Sequence, residues 1–212
     1  MKTGVDFKEI KEIEKKVLKG IKTEDSFSET PKILAAFDVG YTGKRYICSA
    51  IVINLENNEI IETKIGTGDE VMSYSPALST FREGPPILQA YRELENKPDV
   101  LLVKGMGSIN PHRVGLAGYV GILTNKPCIS VNSELLTGKL DEDKIIFNGE
   151  IKGMALKTKA YSNPIYVSPG HNISVKTSVE IVKKLIIESY KLPFPLHLAH
   201  KEVNKAKKVE KT

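Results

Sequence analysis

The sequence predicts an α/β fold in a single domain, and three observations carry that prediction. Three strand-like runs follow one another from residue 33. Further short apolar runs then alternate with segments of helical period. A chain of 212 residues, 41% hydrophobic and 27% charged, is long enough to bury one sizeable core.

Residues 6–21 have an amphipathic helical pattern. Phe7, Ile10, Ile13, Val17 and Ile21 recur at helical spacing, Asp6 and Glu9 form an N-terminal capping pair, and Gly20 lies near the end. This helix is expected to pack on an edge or face of the sheet. Residues 23–32 are polar, contain Pro31, and describe a linker. The run ILAAFDVGY, residues 33–41, is too short and too continuously apolar for a helix face and fits a strand buried on both sides. Asp38 then sits deep in the sheet, where a lone carboxylate is costly unless a metal, a cation or donors compensate it. A buried Asp that accepts backbone hydrogen bonds satisfies the same pattern. A Thr42-Gly43-Lys44 turn leads to a strand over 46–53, and Glu56-Asn57-Asn58 leads to another over 59–65.

Residues 67–86 have little regular pattern. Pro85 and Pro86 suit a helix start, after which Ile87, Leu88, Tyr91 and Leu94 give a buried face, so Glu83 is expected just before that helix or in its first turn. The strand DVLLV, 99–103, ends at Lys104 and the run Gly105-Met106-Gly107. A helix is expected over 112–123, with Gly115, Ala117, Gly118 and Gly121; glycines cost helix stability, so their density implies close approach of another backbone or a ligand. A strand follows over 128–131. Residues 144–147 and 151–157 form a hairpin around Asn148-Gly149. The last strand is 164–167, Ser168-Pro169-Gly170-His171 is a tight loop, and a helix over 174–190 buries Val175, Val179, Val182, Leu185 and Ile186. The chain beyond His200 is basic and expected to fray.

A net charge of +5 and a pI of 9.0 lean toward an anionic partner, although part of the excess lies in the Lys-rich ends. Cys48 and Cys128 both fall in apolar strand-like runs, with no pairing or metal-ligand spacing, and are expected to be reduced core residues of a cytoplasmic protein with no zinc site. Residues 2–22 are charged throughout and no apolar run nears the length of a membrane span, so neither a signal peptide nor a membrane is expected.

Five blocks, taken together and in this order, resemble the endonuclease V family of metal-dependent nucleases that cut nucleic acid near deaminated purines, inosine above all. They are FDVGY (37–41), YSPALSTFRE (74–83), VKGMGSINPHRVGLAGYVG (103–121), SPGHNISV (168–175) and YKLPFPLHLAH (190–200). The resemblance implies an RNase H-like mixed sheet flanked by helices over residues 33–200, preceded by a helix and linker (1–32) and followed by a basic tail (201–212). It implies a Mg²⁺ cofactor and a nucleic-acid partner, single- or double-stranded DNA or RNA, including inosine-containing strands. Asp38 and Glu83 match two metal-binding acids, and His171 matches a histidine that assists at the metal or the attacking water. A surface or capping histidine is the plainer reading of His171 by itself. Tyr74 and Pro76 match a wedge loop that opens the duplex beside the lesion, whereas a lone Tyr is more often core. Gly105, Gly107, Asn110, Arg113 and Gly121 fall where a pocket for an extruded base is implied.

The chain departs from that pattern at the site. Where the family has Asp at the end of the fourth strand, this sequence has Lys104; Asn110 replaces a His, Ser73 replaces a Pro of the wedge, and Val131-Asn132-Ser133-Glu134 stands where a Lys is usual. An ammonium cannot ligate Mg²⁺, and at ~4 Å from a carboxylate its attraction is ~4 kcal/mol at an effective dielectric of ~20, so it competes with a metal for Asp38 and Glu83. Lys104 is thus expected to be an internal counter-ion; the alternative is that it swings to solvent and leaves two acids to a weakened metal. Three functions follow from these readings: a nucleic-acid-binding relative with weakened or lost cutting, a working endonuclease with a remodelled metal site, and a scaffold that binds protein partners.

Overall fold

The structure, a computed structural model, describes residues 7–27 and 29–209. In chain order the elements are α1 (Phe7–Gly20), β1 (Ile33–Thr42), β2 (Arg45–Asn54), β3 (Ile60–Asp69), α2 (Ser79–Glu93), β4 (Val100–Lys104), α3 (Leu116–Thr124), β5 (Cys128–Asn132), β6 (Lys139–Asp141), β7 (Lys144–Phe147), β8 (Glu150–Leu156), β9 (Ile165–His171), α4 (Val175–Lys184) and α5 (Phe194–Val209). The strands make one mixed sheet in the order β3-β2-β1-β4-β5-β9-β8-β7-β6. The β1/β4 and β4/β5 pairs are parallel, and the remaining pairs are antiparallel.

Strand alternation divides the central residues between two cores. Leu34 and Ala36 of β1, with Val100 and Leu102 of β4, meet Val179 and Val182 of α4 and Leu196 and Ala199 of α5. Ala35 and Phe37, with Leu101 and Val103, meet Ile87 and Ala90 of α2 and Leu116, Ala117 and Val120 of α3. Both faces of β1 and β4 are therefore covered, which is why these strands are apolar without alternation. The Asn148-Gly149 hairpin forms as expected, both residues having positive φ (52° and 81°).

Several boundaries differ from the sequence pattern for identifiable reasons. Helix α2 starts at Ser79, a full turn before the prolines, so Pro85 and Pro86 lie inside it and Glu83 sits in its second turn. An internal proline removes the donor to the carbonyl four residues earlier; for Pro86 that carbonyl belongs to Arg82, and the Tyr41 hydroxyl donates to it instead at 2.8 Å. Helix α3 begins only at Leu116, because Pro111 and His112 form a turn closed by the Arg113 N–H to the Asn110 carbonyl and Gly115 is extended. The supposed loop 168–171 is the second half of β9, paired to β5. Helix α1 packs on α3 rather than on the sheet: the Glu14 carboxylate accepts the Val114 N–H at 3.1 Å, and Gly20 lies against Ile122. Its expected cap, Asp6, lies outside the described residues. Residues 201–209 continue α5 instead of fraying, held by Val203 at 1% exposure.

The supposed linker is also structural. Asp25 accepts the Ser174 N–H at 2.8 Å and the Thr177 hydroxyl at 2.7 Å, closing the first turn of α4 together with the Ser174 cap.

Candidate functional site

Parallel pairing of β1 with β4, Phe37 opposite Val103, brings Asp38 and Lys104 side by side at the strand ends. By alternation each shares a face with the residues two and four before it, the face that α5 covers. The Lys104 Nζ lies 3.6 Å from Asp38 Oδ1. On the other carboxylate oxygen, His200 of α5 places Nδ1 2.6 Å from Asp38 Oδ2, and Lys104 Nζ is 3.2 Å from the same ring nitrogen. A carboxylate oxygen only accepts, so Nδ1–H donates to Asp38, and the Lys104 ammonium, itself a donor, stands beside that nitrogen without bonding to it; Nε2 lies 3.0 Å from the Asn204 side-chain nitrogen. Asp38 is only 4% exposed, so the His200 ring and the Lys104 ammonium together replace its hydration. Ser49, directly across on β2, is fully buried with its hydroxyl unpartnered.

Glu83 approaches from α2. Burial first, then the neighbouring Asp38 charge, push its carboxyl up to about 7, against the opposing pull of Arg82 and Lys104. Arg82 beside it builds the loop that precedes α2. Its guanidinium carbon lies 3.4 Å over the Tyr41 ring and 5.7 Å from the Tyr74 ring, one terminal nitrogen pairs with Glu70 at 2.9 Å, and Nε donates to the Met72 carbonyl at 3.2 Å. Tyr74 stands on that loop with 67% of its surface exposed.

Asp38, Glu83, Lys104, Tyr74, Pro76, Gly105, Asn110 and Arg113 line one cavity of about 620 Å³, together with Met106, Leu116, Asn132 and Leu136. The acids, the ammonium and the exposed loop thus converge. Within the cavity wall, Asn110 and Asn132 each accept a backbone N–H on the side-chain oxygen, from His112 and Ser133, which leaves both amide NH₂ groups as donors. Arg113 is partly committed, donating to the Ala77 carbonyl at 2.8 Å and pairing with Glu14 at 3.6 Å.

Three expected site residues lie elsewhere. His171 is opposite Cys128 at the start of β5, whereas Lys104 is opposite Val131 near its end, so the two occupy opposite ends of the sheet. His171 is buried, accepts the Lys22 N–H on Nδ1 at 3.3 Å, and has its pKa lowered by burial and then by Lys22. It anchors the segment after α1 and does not face the acids. Gly121 leaves room for His171 and Cys128, not for a ligand: a Cβ there would come within 2.6 Å of the His171 Cβ. Gly107 is likewise buried, enclosed by the Ser130 and Ser168 hydroxyls, with Gly115 packed against its carbonyl. His200 is the residue that the sequence pattern did not single out. Its signal was available, because strand parity aims Asp38 and Lys104 at the face that the block 190–200 covers.

Mg²⁺ requires several oxygen ligands. Here Asp38 spends one oxygen on His200 and faces the Lys104 ammonium with the other. Among the described residues no group of three or more His, Cys, Asp and Glu side chains is arranged to hold a metal ion. The donor set does not fit Mg²⁺.

The chain matches the family model described as endonuclease V over residues 15–201. An endonuclease V of Thermofilum pendens is 36% identical over 182 residues, covering 84% of this chain and 78% of the relative. Among solved structures, the endonuclease V of Streptomyces avermitilis superposes with a TM-score of 0.88 at 22% identity, covering 100% of this chain and 97% of that one. A Ciona intestinalis endonuclease V, in complex with a 24mer DNA containing an inosine followed by a ribo-adenosine, superposes with a TM-score of 0.83 at 23% identity, covering 95% and 97%. With the family model spanning residues 15–201 and a relative 36% identical over 84% of the chain, this protein belongs to the endonuclease V family, a family of metal-dependent nucleases.

Proposed function

We propose that this protein binds nucleic acid, inosine-containing strands included, in the cavity between Tyr74 and Lys104, with metal-dependent cleavage weakened or lost. The observation that carries the reading is the Lys104 ammonium 3.6 Å from Asp38 Oδ1, where a carboxylate would be needed to complete a metal site. In this reading Lys104 is the counter-ion of the acids, Tyr74 and Pro76 are the wedge, and Gly105, Asn110 and Arg113 border the pocket for the extruded base. The exposure of Tyr74 and the inosine-containing DNA held by the Ciona relative support it. The three antiparallel strands followed by parallel β4 and β5 support the RNase H-like description, and the free buried thiols of Cys48 and Cys128 suit a reducing cytoplasm.

The test compares this protein with its Lys104→Asp variant on an inosine-containing strand with Mg²⁺ or Mn²⁺. Binding without efficient cutting by the unaltered protein, and partial cutting by the variant, is the expected result. Exchange of an ammonium for a carboxylate moves the site two charge units toward cation binding. Restoration stays partial because Asn110 and Ser133 remain, and small errors in positioning cost ~10²-fold in rate. Robust inosine-dependent cutting by the unaltered protein, abolished by Asp38→Ala, would overturn the proposal.

A further inference from the structure

A second cavity, of about 600 Å³, lies on the outer side of α5. Its wall includes Tyr190, His197, His200, Lys201, Asn204 and Lys205, and among the described residues no acidic side chain lines it. His200 belongs to both places: Nδ1 is held by Asp38, while Nε2 and its partner Asn204 lie toward this cavity. The Asp38 centre therefore adjoins it directly. His197, Lys201 and Lys205 succeed one another at intervals of four residues, one stripe of the helix with about 6 Å of rise between members. Lys201 and Lys205 are exposed, and the Glu202 carboxylate stands 3.9 Å from the Lys205 ammonium, too far to hold it firmly. At the head of the stripe the Tyr190 and His197 rings stack, centroids 3.9 Å apart and planes within 10°. Burial, with help from Lys201 and His200, lowers the His197 pKa, so this pair is a flat uncharged surface at neutral pH.

We propose that the α5 cavity is a second nucleic-acid subsite, taking the single-stranded segment that leaves the Tyr74 cavity, with its phosphates against Lys201 and Lys205 and a base against the Tyr190–His197 stack. A groove with cations along one side and an aromatic platform at one end is what a single strand requires, since every base has a π-face and every link a charge. Two lysines four residues apart can each meet a different phosphate. A duplex would keep its bases paired and leave the platform unused. This inference rests on the nucleic-acid reading above.

The experiment measures binding of a fluorescent single-stranded inosine oligonucleotide from about 50 to about 200 mM salt, for the full chain and for its Lys201→Ala/Lys205→Ala variant. Each phosphate that is no longer neutralised lowers the slope of log affinity against log salt by about 0.7, so the double variant should lose about 1.4. Tyr190→Ser should weaken binding about tenfold while Tyr190→Phe retains it, because the stack needs a ring and not a hydroxyl. A trinucleotide that fills only the Tyr74 cavity should bind all four proteins alike. Binding of the long strand with an unchanged slope in the double variant overturns the subsite and leaves the parent reading intact. Absence of binding by the unaltered protein overturns the parent reading and this one with it. An equal loss on blunt duplex and single strand overturns the assignment to a single strand.

Discussion

The Tyr41 hydroxyl donates to the Arg82 carbonyl at 2.8 Å, supplying the hydrogen bond that Pro86 cannot give its own helix. β1 is thereby tied to the turn of α2 that carries Glu83. Tyr41→Phe leaves a part-buried carbonyl unsatisfied and should lower stability by about 1–2 kcal/mol, read as a lower urea midpoint at unchanged slope. In a Pro86→Ala background, which returns the helical donor, the same substitution should cost less. Equal costs in the two backgrounds would show that the hydroxyl is not replacing that donor.

Arg82 holds the loop that carries Tyr74 through Glu70 and the Met72 carbonyl while its guanidinium stacks on Tyr41, 5.7 Å from the Tyr74 ring. Lysine cannot stack and reach both oxygens at once. Arg82→Lys is expected to speed amide hydrogen exchange across residues 70–75 and weaken inosine-strand affinity about tenfold, a loss of roughly 1.4 kcal/mol. Unaltered exchange in that loop would remove Arg82 from this role.

Lys104 compensates a carboxylate that is 5% exposed, while its own side chain is 29% exposed. Lys104→Met should cost about 2–3 kcal/mol, since an acid is left with His200 alone. Adding Asp38→Asn should recover much of that loss by removing the unpaired charge. Thermal unfolding of the two single variants and the double variant forms the cycle, and strictly additive losses would contradict a Lys104–Asp38 coupling.

Glu83 should make stability depend on pH. Its folded carboxyl titrates near 7 against an ordinary 4.5, so between those values the folded state binds more protons than the unfolded one. Stability from this group therefore falls as pH rises through the window, by up to about 3 kcal/mol as an order of magnitude, and is fully present only below about 4.5. Glu83→Gln has nothing to ionise and should gain on the unaltered protein above pH 7 while matching it at pH 4. Parallel stability curves from pH 4 to 8 would contradict the raised titration.

β1, β4 and β5 are legible because burial on both faces makes them continuously apolar, and Asp38 stands out as a charge in such a run, whereas the short exposed β6 has no such signal. Lys104 draws notice as an ammonium where the resemblance implies an acid, and the β1/β4 pairing sets it 3.6 Å from Asp38. Pro85 and Pro86 signal a helix start, yet they lie inside α2, where the Tyr41 hydroxyl, 41 residues from Arg82 in sequence, takes the place of the donor that Pro86 lacks. The role of Asp25 was hidden in the same way: its partners on α4 are 149 and 152 residues distant, and only the fold joins them. The resemblance points to His171 through its neighbouring residues, whereas the fold gives Asp38 the ring of His200. The β9 pairing that carries His171 to the far end of the sheet has no local signature in a stretch containing Ser168-Pro169-Gly170.

The bond between Asp38 and His200 spans 162 residues. During synthesis β1, β2 and β3 can pair as soon as they emerge, yet the acid at the end of β1 has no ring to meet until the ribosome has passed residue 200. At ~5–20 residues per second that interval is roughly 10–30 s, during which Asp38 must stay hydrated and the sheet face above it uncovered. Docking of α5 closes that face and dries Asp38 in one event.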